Sequence, residues 1–93
     1  MTPEDLLDDV KDRDSFIAFV ESLAAERANA AKLEHEKPQT YIVDGAYNWK
    51  NADIASFLYA ALTYFDERPL LQPEKEPSWR MFANFLYCGK IIE

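Results

Sequence analysis

The sequence predicts a mainly α-helical fold, a small bundle of three to four helices, and three observations carry that reading. Large apolar residues recur at three- and four-residue spacing in separate stretches of the chain. Each stretch is preceded by a residue suited to cap a helix. The 93 residues hold only 2 Gly and 5 Pro, and the prolines stand at the edges of the periodic stretches rather than within them. A chain of this length forms a single domain, residues 1–93, with one core and little surplus burial.

Thr2-Pro3-Glu4-Asp5 reads as a helix start, with Thr2 as N-cap, Pro3 at the first helical position and an acid at the third. Leu6, Leu7 and Val10 supply a short apolar face. Asp12 is placed to cap a second helix, in which Phe16, Val20 and Leu23 form a stripe widened by Ile17, Phe19 and Ala24. The high-propensity run Ala24-Ala25-Glu26-Arg27-Ala28 carries that helix to Ala31 or Leu33, and Pro38 stops it. Asn51 is a candidate cap for the clearest helix, marked by Ile54, Phe57, Leu58, Ala61, Leu62 and Phe65. That helix ends at Arg68-Pro69. Residues 69–77, with three prolines among charges, form a stiff connector. Pro77 or Ser78 opens a last helix on which Trp79, Phe82, Ala83 and Leu86 share one stripe. Trp79, Phe82, Leu86, Phe57, Leu58, Leu62, Phe16 and Val20 are expected to share one core, with Tyr87 off that line.

Residues 40–48 admit two readings. Tyr41-Ile42-Val43 and Ala46-Tyr47 flank Asp44-Gly45, a dipeptide suited to a two-residue turn. A short β-hairpin would pair Ile42 with Tyr47 and put Trp49 on the same face. An ordered loop with its aromatics inward is the other reading.

The formal charge of −7 bounds the partners. Phosphate backbones and anionic membrane surfaces call for clustered Lys and Arg, so neither nucleic acid nor a membrane is expected. No apolar run approaches the roughly 20 residues that cross a bilayer. The opening residues Met-Thr-Pro-Glu-Asp do not have the form of a signal peptide, and Cys88 is alone, so a cytoplasmic location is expected. Six acids, Glu4, Asp5, Asp8, Asp9, Asp12 and Asp14, stand against Lys11 and Arg13 in residues 1–14, while the last twenty residues are neutral. The acidic pole is N-terminal.

No catalytic constellation is legible. A Cys88–His35 pair lacks an orienting third group, and a lone helical Cys is ordinarily a small buried hydrophobe. Glu34-His35-Glu36 fits no zinc spacing, and the acids from Asp5 to Asp12 lack the pattern of a calcium loop. Neither a catalytic residue nor a metal or cofactor site is therefore assigned.

Two blocks resemble a known family. Trp49-x-Asn51-x-x-Ile54-x-x-Phe57-Leu58-x-Ala60, followed by Trp79-x-x-Phe82-Ala83-x-x-Leu86-x-x-x-Lys90-Ile91-x-Glu93, is similar to the pattern of small acidic bacterial proteins whose domain has no assigned function. Asp14-Ser15-Phe16-x-x-Phe19-Val20-x-x-Leu23 looks like the first block of that family. Ile92 stands where the family usually has Tyr, and residues 30–48 depart from its pattern. The resemblance implies a compact helical domain and carries no catalytic residue.

The function expected from these features is a non-catalytic protein-binding module for a basic partner. Small size, acidity and the lack of catalytic groups are also the look of immunity proteins that neutralise toxic nucleases, an analogy of composition. The expected contact residues are Asp5, Asp8, Asp9 and Asp12 of the acidic pole, with Tyr41, Tyr47 and Trp49. Two alternatives stand beside it: a structural or homodimeric assembly domain, and an enzyme with a site around Tyr41, Tyr47, Trp49 and His35.

Overall fold

A computed structural model describes residues 2–41, 45–67 and 78–92, with side chains to residue 64 in the second stretch. The described residues form four α-helices: α1 (Pro3–Leu7), α2 (Arg13–Glu36), α3 (Ile54–Glu67) and α4 (Trp79–Ile91), with a 3-10 turn at Ala46–Asn48. No strand occurs among them. The mainly helical class is as the periodicity predicts.

The first two helices start where their caps place them. The Thr2 hydroxyl accepts from Asp5 N at 3.2 Å, and the Asp5 carboxylate accepts from Thr2 N at 3.1 Å, a reciprocal capping box with Pro3 at the first position. Asp12 and Ser15 form the same device at the head of α2. At 24 residues α2 spans about 36 Å. It runs past Leu33 to Glu36, because Pro38 disfavours helix only from the residue before it. Ser78 caps α4 by accepting from Met81 N at 3.0 Å.

The head of α3 corrects the expected cap. Asp53, not Asn51, accepts from Ser56 N at 2.7 Å. Asn51 is used instead across the fold, its amide donating to the Gly89 and Ile92 carbonyls at the end of α4. These bonds, with Lys50 N to Lys90 O at 2.9 Å, fasten the segment before α3 to the far end of α4. Residues 68–77, where the connector is expected, lie outside the described residues.

The hairpin expectation is also revised. An Asp-Gly turn of the hairpin type needs positive φ at both residues, yet Gly45 has φ −68°. Positive φ falls at Tyr47 (57°) and Asn48 (66°) instead, inside the 3-10 turn, so the residue expected to pair in a strand lies in a left-handed turn. Ile42, Val43 and Asp44 are outside the described residues.

The core centres on Phe19 and Leu23 of α2, with Val10, Ala30, Ala46, Trp49 and Ala83; Phe16, Val20, Phe57 and Leu86 pack against it half-buried. α3 packs chiefly on α4, and α4 in turn meets α1 and α2. Gly89 permits a close α3–α4 approach, since a Cβ there would stand 2.7 Å from the Phe57 ring. Four expected core residues lie further out. Trp79 and Phe82 form an aromatic cluster with Phe16, centroids 5.3 and 6.4 Å from its ring, and keep one side to solvent. Leu58 and Leu62 point outward from α3.

Candidate functional site

Three features stand out: a buried ionic node, an apolar groove beside it, and the outer face of α3. The node joins the ends of the chain. Lys90 on α4 is 2% exposed, and its ammonium meets Glu26 of α2 at 2.6 Å and Glu4 of α1 at 2.9 Å. Trp49 Nε1 donates to Glu26 at 2.8 Å, and Lys90 Nζ lies 5.8 Å from the Trp49 ring centroid. Burial opposes the charge on Lys90, but the bonds it donates to Glu26 and Glu4 outweigh that and hold the ammonium above its ordinary pKa. Nearby, burial and the Glu4 charge raise the Tyr87 phenol. A lysine held this firmly in its charged form is a poor nucleophile or base, so the node is structural.

The Arg27 guanidinium also sits over Trp49, 5.2 Å from the ring centroid, and pairs with Glu34 at 2.6 Å. Glu34 also accepts from Ala46 N at 3.0 Å, fixing the turn to α2. Two of the three groups in Glu34-His35-Glu36 therefore diverge: Glu34 turns inward and His35 is exposed. Among the described residues no three metal-capable side chains converge. Cys88 is buried in α4.

The groove lies between α2 and α3, with a volume of about 310 Å³. Leu23, Ala24, Trp49, Phe57 and Leu86 make apolar walls, Ile54 stands at the edge, and Arg27 and Asp53 sit at the rim. Phe57 is stacked on Trp49 with centroids 6.1 Å apart. Ile54 also begins the outer face of α3, which continues through Leu58, Tyr59 and Leu62; these four are 79, 47, 75 and 48% exposed.

The residues expected at a partner surface are scattered by comparison. Asp5 closes the capping box of α1 and Asp12 caps α2, and the hydrogen bonds their carboxylates accept from Thr2 and Ser15 respectively lower their pKa values. Asp8 pairs with Arg80 of α4 at 3.0 Å, and Asp9 is exposed beside it. Tyr41 is half-buried against the core, Tyr47 is half-exposed, and Trp49 is 4% exposed. Trp49 is thus a core residue that walls the groove. Sequence reasoning did not find the node or the α3 face. One signal was available for the node: Glu26 falls on the buried stripe of α2, three residues from Leu23 and four from Ala30.

No helix of the described residues is long and apolar enough to cross a membrane. Comparison with curated proteins gives no match, and comparison with solved structures gives none. A family of unknown function, DUF7660, matches residues 12–93. The match begins at the N-cap of α2 and takes in Glu26, Trp49, the groove, α3 and Lys90, leaving only α1 outside; on that extent, the chain belongs to the DUF7660 family.

Proposed function

We propose that the protein is a non-catalytic binding module that contacts a basic protein partner through the outer face of α3. The observation that carries this reading is the exposed apolar row Ile54, Leu58, Tyr59 and Leu62. The apolar stripe of a surface helix ordinarily faces the core rather than solvent. An exposed contiguous apolar surface is a characteristic of interaction sites. The charge argues for the sign of the partner. α3 carries no Lys or Arg, acids stand at Asp53, Asp66 and Glu67, and the whole chain is −7. Two such copies repel each other, whereas a cationic protein is attracted. An immunity-type role, in which a small acidic module occupies a cationic enzyme, is one biological form this reading takes.

The test starts with sedimentation equilibrium of the chain alone, where a monomer is expected; a stable dimer abolished by Leu58→Gln would assign the face to self-assembly. A photo-cross-linker at Tyr59 then identifies the partner in the native host, with Lys32 as the control position. Leu58→Gln is expected to weaken binding of that partner by about tenfold or more without lowering the melting temperature. Unchanged affinity would sink this reading.

A further inference from the structure

We propose that the groove between α2 and α3 receives one aromatic side chain from a helical segment of the partner, with a Lys or Arg of that segment beside Asp53. The inference rests on the proposed function and adds what the partner must present.

Size comes first. About 310 Å³ is at the small end for ligand pockets, room for one ring system rather than a large cofactor. Buried aromatic anchors in such pockets commonly dominate the energy of protein interfaces.

Position comes next. Ile54 is both a groove edge and the start of the outer row of α3, so the groove opens onto the face already argued to bind. Ile54, Leu58 and Leu62 are spaced four apart, the arrangement an amphipathic helix meets when it lies along another helix. One of its side chains then falls at the groove.

Charge decides the flanking group. Two ionic side chains stand at the rim. Arg27 is already paired with Glu34 and laid over Trp49, and its unpaired Nη1 is sealed from solvent. It offers little to an incoming acid. The Asp53 carboxylate is exposed and, among the described residues, accepts only local bonds from Ser56 N and Oγ, at 2.7 and 3.2 Å. Those bonds lower its pKa and keep it ionised. The uncompensated charge at the rim is negative.

The test uses tryptamine, indole and indole-3-acetate as probes in protein-observed NMR titrations. All three are expected to shift signals of Ala24, Phe57 and Leu86. Tryptamine should bind about threefold or more tightly than indole-3-acetate, the size of an exposed ion pair. Asp53→Asn keeps a helix-capping side chain and should bring that ratio close to one. Ala24→Phe, at an exposed position, should fill the groove and remove the shifts at Phe57 and Leu86 while the melting temperature holds. Ala52, in the segment before α3, also lines the groove, and Ala52→Phe tests the same filling from there. Absent groove shifts, indole-3-acetate binding as tightly as tryptamine, or undiminished binding to both filled variants would each overturn the proposal. The titrations need no partner, so their failure leaves the α3 reading standing. Full partner affinity in Leu58→Gln would sink that reading without touching the probe result.

Discussion

At Lys90 a charge sits where water barely reaches, with two carboxylates for company. Such a pair adds little over apolar packing, but removing one partner strands the other. The two acids differ here. The Glu4 side chain is 42% exposed and can turn to water, whereas Glu26 is 12% exposed and tied to Trp49. Lys90→Met should therefore cost about 3 kcal/mol, the lower end for a broken buried pair, nearly all of it from Glu26. Adding Glu26→Gln should recover part of the loss, because a neutral amide still accepts from the Trp49 indole. Urea unfolding of both variants measures this; a single variant as stable as the wild type would show that Glu26 escapes to solvent. The raised pKa of Lys90 fixes the pH dependence as well. A lysine whose folded pKa lies above its unfolded value stabilises fully below the unfolded value, about 10.4, and loses that contribution as pH rises through the folded one. Tyr87, also raised, acts in the same direction above about 10. The alkaline loss of stability should be shallower in Lys90→Met.

Between α3 and α4, Gly89 sets a tight constraint. A Cβ there meets the Phe57 ring at 2.7 to 2.8 Å, and Phe57 is backed by Trp49. Gly89→Ala gains about 1 kcal/mol of helix propensity. Overpacking costs about 1–3 kcal/mol. The groove lies beside Phe57, so the ring has somewhere to move, and the net loss should be about 1 kcal/mol, with Phe57 displaced toward the groove. Thermal melting and the Phe57 ring shifts report both effects; a stabilised variant would mean the ring yields freely. The same scale shows what could be read from sequence. Helix starts are legible at Thr2, Asp12 and Ser78, because a capping side chain is a local chemical device. At the head of α3, Asn51 and Asp53 both had the chemistry of a cap, and only the long-range bonds of Asn51 to α4 decide between them. The outward side of α3 was illegible for a different reason. Periodicity marks a wide apolar side through Ile54, Phe57, Leu58, Ala61 and Leu62, but which half of it is buried depends on where α4 packs, so Leu58 and Leu62 read as core from spacing alone. The node joins Glu26 to Lys90 across 64 positions, a pairing that local spacing does not encode.

Over the whole molecule, the radius of gyration is 13.9 Å, against about 12 Å for a compact domain of this length. The extents of 44 × 27 × 18 Å describe a flattened body. Such a shape exposes more surface per residue, and here that surface divides by chemistry: acid around α1, apolar residues along α3. The two should act at different stages of binding. Long-range attraction to a cationic partner raises the encounter rate and is screened over about 8 Å at physiological ionic strength. Short-range apolar contact forms after encounter and governs dissociation. Asp5, Asp8, Asp9 and Asp12 are all exposed, and Asn at positions 5 and 12 preserves a capping side chain. The Asp8–Arg80 pair lost in the process is exposed on both sides and contributes little. Replacing the four by Asn should therefore slow association with the identified partner and flatten its salt dependence, with the dissociation rate nearly unchanged. Leu58→Gln should do the reverse, leaving association and its salt slope intact while dissociation quickens. Stopped-flow measurement of both variants at two salt concentrations separates these effects. If association of the wild type ignores salt and the fourfold Asn variant binds as fast, the acids around α1 serve only to cap helices and keep the surface solvated. The recognition energy would then rest on the α3 face and its groove.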